Sequence, residues 1–146
     1  MPLLHDSSVR SAIERRLRLL HSDSVPRWGK MSVDQMLWHV NEALAVPLGD
    51  RELVAVRAPL PRGVIKFMVL NIPWIKGAPT NPSLVAQGRH DFEVQRARCL
   101  QLIDALARRP LESAWPAHPM FGRMSGKDVS RLHAKHLDHH LKQFGT

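Results

Sequence analysis

The chain has 146 residues, 44% of them hydrophobic and 23% charged, with a single cysteine and a formal charge of +8 at pH 7. That length suits one domain able to bury its own core, and the composition excludes a disordered or collagen-like chain. The lone Cys99 excludes a disulfide framework and a thiolate metal cluster, and points to a reducing, cytoplasmic setting.

The first predicted element, residues 7–20, carries Val9, Ile13, Leu17 and Leu20 on one helical stripe with arginines opposite. It lacks a long apolar core behind a basic start, so it reads as a helix and not as a secretory signal. The second helix opens at "MSVDQ", where Ser32 and Gln35 form a capping box, and runs to Leu48 before Gly49. Residues 49–88 are then rich in proline and glycine. A connection of that length is usually functional or holds an element of its own. A short helix over residues 64–71, ended by Pro73, is expected, with the remainder folded back over one end of the domain. The apolar run at 64–75 is interrupted by Lys66 and Pro73 and falls short of the roughly 20 residues a membrane span needs.

The third long helix spans residues 89–108 and stops at Pro110. The fourth begins at "SGKD", with Ser125 and Asp128 as its N-terminal signals, and continues almost to the last residue. Nothing alternates with period two for long enough to make a strand. Four helices with one long crossover, between helices 2 and 3, make the expected fold an all-α four-helix bundle, with residues 1–146 as a single domain.

The positive charge would favour nucleic acid or anionic lipid at long range. Yet the arginines are spread from Arg10 to Arg131 without one dense block, Tyr is absent, and no helix-turn-helix or base-stacking pattern is visible. A solvated basic surface is the reading, with a nucleic-acid docking module kept as an alternative.

The last helix, "RLHAKHLDHHLKQFG", contains His133, His136, His139 and His140. On a helical wheel with His136 at zero, His140 lies near roughly 40° and His133 near roughly 60°, on the half shared with Leu132, Leu137 and Phe144. His139 sits on the boundary of the charged face. Histidines at i and i+4 place their rings over one surface spot, the geometry of a shared metal ion. Inward imidazoles need partners, because an unpaired buried polar group costs roughly 1–3 kcal/mol. A metal would supply them, and so would ordinary hydrogen bonds; spacing leaves both readings open. In the second helix, "MLWHVNEA", His39 borders the apolar stripe of Met36, Val40 and Leu44, with Gln35 and Glu42 near it in angle.

With one histidine in "RWGKMSVDQMLWHV" and an H-x3-H-x2-Q pattern in "HLDHHLKQ", the chain resembles the DinB/YfiT-like superfamily. Within it the chain looks like a branch of unknown function marked by "WGKMS", "KG.PT.P", "HP.FG" and "HLDHHL.QFG". The resemblance spans nearly the whole chain. It implies a divalent metal held by His39, His136 and His140, with Gln143 closing the motif through a hydrogen bond.

Three imidazoles would leave a position open for water or substrate, as in a catalytic site. Zinc and nickel suit imidazole, and iron or manganese fit as well. Gln35 or Glu42 could orient a ligand imidazole, and Glu42 could serve as a general base. His133 receives only a supporting or packing role. Trp38 and His118 are candidate pocket residues. Characterised members of the superfamily include thiol-dependent transferases and isomerases. The resemblance therefore implies a small-molecule substrate, with transfer of a low-molecular-weight thiol as the leading reaction and metal-assisted hydrolysis as the other. A non-catalytic metal or small-ligand binding protein is the reading from a different class. Dimerisation through a helix face is compatible with such a bundle.

Overall fold

A computed structural model describes residues 1–146 and contains five α-helices and no strand. The helices are α1 (Ser7–Leu19), α2 (Val33–Ala45), α3 (Arg62–Asn71), α4 (Phe92–Arg108) and α5 (Gly126–Gln143), with a 3-10 turn at Pro82–Leu84. The all-α expectation holds, and the short helix in the crossover is present.

Local chemistry sets the boundaries. At α2 the Ser32 hydroxyl accepts from the Gln35 N–H (3.4 Å) while the Gln35 side-chain oxygen Oε1 accepts from the Ser32 N–H (3.0 Å), so two orphan donors are satisfied reciprocally. Ser125 and Asp128 repeat the device at α5. The helix expected from residue 89 starts instead at Phe92. Arg89 and the His90 N–H are engaged by the Asp34 carboxylate, which holds the chain extended until Asp91 caps the helix through the Val94 N–H (2.9 Å).

Helix α2 lies along α4 and α1 along α5, while α2 also touches α5 and α1 touches α4. Their inward stripes meet in a core that includes Leu17, Leu37, Leu44, Ile103, Leu106, Leu137 and Leu141, all essentially without solvent exposure. Helix α3 packs on α5. Its end is capped by α5 cations: Lys135 Nζ donates to the Val69 and Ile72 carbonyls (2.7 and 2.6 Å), and Arg131 donates to the Leu70 carbonyl (3.4 Å). Cations at orphan C-terminal carbonyls oppose the negative end of the helix dipole.

The "HPMFG" stretch closes into a tight loop through two backbone bonds between His118 and Gly122 (2.7 and 2.8 Å). The glycine of "SGKD" has a steric cause. A Cβ on Gly126 would run into the Leu111 backbone, which crosses directly over the start of α5. Gly126→Ala should therefore destabilise the protein by about 1–3 kcal/mol or more, read as a lowered thermal midpoint, because the obstacle is main chain and cannot rotate away.

Candidate metal centre

Helices α2 and α5 bring three imidazoles into one cluster. The ring centroids of His39, His136 and His140 are 4.8, 4.9 and 4.7 Å apart pairwise. One ring nitrogen from each lies within 4.8 Å of the others. His39 and His140 are buried and His136 is half-buried, the most exposed of the three.

Hydrogen bonding fixes two of the tautomers. His39 Nδ1 is 2.8 Å from the Leu84 carbonyl, which can only accept, so Nδ1 carries the proton and Nε2 presents a lone pair. His140 Nδ1 is 2.7 Å from Gln143 Oε1. The Gln143 amide is itself oriented by donating from Nε2 to the Trp28 carbonyl (2.9 Å), so Oε1 must accept and His140 Nε2 is likewise bare. His136 Nε2 is 2.9 Å from His39 Nε2. As His39 Nε2 has no proton, His136 donates here; with its Nδ1 engaged by no protein group, it is free to take the other tautomer and turn a third lone pair inward. Imidazole nitrogens bound tetrahedrally to one ion at about 2.0–2.1 Å lie about 3.3 Å apart, close to the 2.9 Å between His39 and His136. The donor set therefore fits a divalent ion.

The rings are also neutral. Burial pushes all three below the ordinary histidine value, His140 to about 3 and His136 well down, with neighbouring imidazoles adding to the effect. For His39 the Leu84 hydrogen bond works in the opposite direction without cancelling burial. A neutral imidazole is the form that ligates a metal.

Two of the three imidazoles, those of His39 and His140, are held by docked segments. The 3-10 turn that delivers the Leu84 carbonyl is capped by the Asn81 side chain and gripped by Arg51, which donates to the Ser83 carbonyl (2.8 Å). Arg51 in turn pairs with Glu42 (3.1 Å), which also binds Arg98 (2.8 Å). On the other side the loop at residues 27–29 docks on the end of α5, with the Arg27 N–H on the Gln143 carbonyl (2.7 Å). Gly29 has φ of 81°, and a Cβ there would sit 2.8 Å from Gln143 Nε2. Only glycine suits both the left-handed backbone and the close amide.

Gln143 hydrogen-bonds the His140 ring, whereas the other candidate residues make their contacts elsewhere. Glu42 does not reach His39; its carboxylate is occupied by two guanidiniums and positions Arg51. Gln35 caps α2 and donates to the Gly88 carbonyl (2.8 Å). Trp38 stacks on His90, with centroids 5.5 Å apart. His118 accepts from the Met120 N–H (3.0 Å) and stacks on Phe121 at 4.2 Å, so it shapes its own loop. His133 is buried with Nδ1 lacking any protein partner. Burial pulls it to about 3, and it senses His118.

Two tryptophans and His139 wall the cluster. Trp74 packs against His136 (5.6 Å) and His139 (5.5 Å), and Trp28 against His139 (5.6 Å). His139 lies 5.1 Å from His140, and Lys76 Nζ rests 4.7 Å over the Trp28 ring. The boundary position of His139 on the wheel is the signal that would have found it, since a boundary is where a helix meets the rim of a pocket.

Residues 60–146 match the model of a family described as "Protein of unknown function (DUF1569)". The match includes His136, His140 and Gln143 and leaves out His39. No curated protein and no solved structure matches the chain.

The buried histidines predict acid sensitivity. His133, His140 and His118 stand at about 3, about 3 and about 4 against an ordinary 6.5, so between those values the unfolded chain binds more protons than the folded one. Their contribution to stability is complete above pH 6.5 and is lost progressively as pH falls toward about 3. His133→Leu should flatten that dependence in a thermal-melt series. At pH 7 it should leave stability unchanged or raise it by about 1 kcal/mol, because an unpaired buried nitrogen is replaced by carbon.

Proposed function

We propose that this chain, which belongs to the DUF1569 family, is a single-domain DinB/YfiT-like protein whose α1, α2, α4 and α5 form a four-helix bundle around a divalent metal held by His39, His136 and His140. The observation that carries this reading is the convergence of Nε2 atoms whose tautomers are set from outside by Leu84 and Gln143. Imidazole-only donors favour zinc or nickel, with iron or manganese also compatible.

Such an ion supplies Lewis acidity toward an oxygen or sulfur, or lowers the pKa of a bound water to about 7. The rest is the work of the chain. Leu84 and Gln143 keep two ligands aimed. Trp28, Trp74 and His139 exclude water from one side and offer flat apolar surface. Lys76 places a positive charge at the rim, suited to a small substrate bearing an anionic group. We therefore read the activity as metal-dependent transfer of a low-molecular-weight thiol to an electrophile, with hydrolysis using the same open position.

One observation favours a second reading. The carboxylate nearest in sequence to His39, that of Glu42, is tied to Arg51 and Arg98 and is not free to move a proton. A non-catalytic metal or small-ligand binding protein needs no such group.

Native protein should carry about one divalent ion per chain by elemental analysis. His136→Ala should abolish retention, and Gln143→Ala should weaken it about 10–100-fold by freeing the His140 ring. Folded protein that binds neither zinc nor nickel sinks the metal reading. Metal-loaded protein inert toward thiol with an alkylating electrophile, and toward ester substrates, favours the binding protein.

A further inference from the structure

Helix α3 is inverted relative to an ordinary surface helix. Its lysine points inward, Lys66 Nζ donating to the Arg123 carbonyl (2.8 Å) and to Asp128 (3.1 Å). Its outward face instead carries Val64, Phe67 and Met68, with Phe67 62% exposed. The apolar surface continues through Ile72 to Ile75, which is 73% exposed. Exposed apolar side chains in one contiguous stretch mark an interaction surface.

The segment that carries this face has charged residues of one sign. Between Glu52 and Asp91 the sequence has no Asp or Glu, while it has Arg57, Arg62, Lys66, Lys76 and Arg89. Lys66 and Arg89 are taken by Asp128 and Asp34. That leaves Arg57, Arg62 and Lys76 without a carboxylate from their own segment. Arg57 and Arg62 line an open groove of about 380 Å³ beside the start of α3, with Val56, Leu60, Ile65 and Met120 as its apolar lining.

We infer that this face docks on an anionic lipid bilayer, the outer side chains of α3 and Ile75 entering the interfacial layer while Arg57, Arg62 and Lys76 meet headgroup phosphates. Cations at the rim of an apolar helix face are the pattern of interfacial binding. A nucleic acid would satisfy the charge and leave Phe67 and Ile75 uncovered. A second copy joined through the same face would oppose two sets of unpaired cations, on chains that each carry +8. The face adjoins the wall of the histidine cluster, since Trp74 precedes Ile75 and packs on His136. The inference does not need the metal: apart from Lys76, which also stands at the rim of the histidine cluster, none of its residues borders the proposed site.

Sedimentation with vesicles tests it. The full-length protein should associate with phosphatidylcholine vesicles containing phosphatidylglycerol, release as salt rises, and ignore pure phosphatidylcholine. Phe67→Ser with Ile75→Ser keeps the charge and should weaken binding about tenfold or more, from the lost apolar burial. Arg57→Gln with Arg62→Gln should weaken it by about tenfold or more as well. Circular dichroism and metal content should not change in either variant, as all four side chains are at the surface. Association unaffected by the serine pair would reduce the effect to diffuse adsorption of a basic protein and overturn the inference. So would absence of binding to anionic vesicles at low salt, or a solution dimer that the serine pair dissociates.

Discussion

Three neutral imidazoles can share a buried cluster only if each protonated nitrogen has somewhere to donate. Leu84 supplies a carbonyl to His39 Nδ1, and the Gln143 amide supplies one to His140 Nδ1. Leaving either donor unpaired would cost roughly 1–3 kcal/mol. The Leu84 carbonyl, and the Trp28 carbonyl that orients the Gln143 amide on α5 itself, come from outside the two helices, so distant pieces of chain must dock in register. The turn at Pro82–Leu84 meets α2, and the loop at residues 27–29 meets the end of α5. Much of the irregular structure can be understood as what holds those acceptors in place.

Buried charge does a large part of that holding. Asp34 sits inside α2 with Arg89 and the His90 N–H on its carboxylate. Burial alone would raise its pKa, but those partners hold it well below the usual carboxylate range. Glu42, two turns further along the same helix, grips Arg51 and Arg98. The two carboxylates thus pin both ends of the long connection to α2: Arg51 before the 3-10 turn, Arg89 after it. Removing Arg51 or Arg89 would leave a buried carboxylate short of a donor, while the guanidiniums themselves are part-exposed. The cost would fall on the placement of Leu84, and through it on the ring of His39.

The helices were legible because their signals are local. Capping boxes at Ser32 and Ser125, apolar stripes and prolines near the ends each act within a few residues. The i, i+4 pair of His136 and His140 was legible for the same reason, whereas His39, beside an apolar stripe like any packing residue, was singled out only through the family resemblance. What escaped was whatever depends on a main-chain atom or a remote partner. A carbonyl such as that of Leu84 has no residue identity to read. The carboxylate of Glu42 looks the same in sequence whether it faces an imidazole or two arginines. Trp38 and Trp74 are equally apolar, and only the path of the crossover decides that Trp74 meets the histidines while Trp38 stacks on His90. The start of α4 moved from 89 to 92 because Asp34, 55 residues away from Arg89, captured the intervening backbone.

The crossover therefore has two chemically distinct sides. Inward it presents the Leu84 carbonyl and the Trp74 ring to the cluster; outward it presents Phe67, Met68 and Ile75. A lone helix of this composition would turn its lysine to water and bury its phenylalanine. The opposite orientation persists because Asp128 takes Lys66 while Lys135 and Arg131 take the carbonyls at the other end of α3. Asp128 also accepts the Ser125 N–H that begins α5, three turns before His140. One carboxylate thus sets the start of the helix that carries His136 and His140 and fixes which way α3 faces. A change at Asp128 would disturb the register of the candidate ligands and the exposed apolar face together.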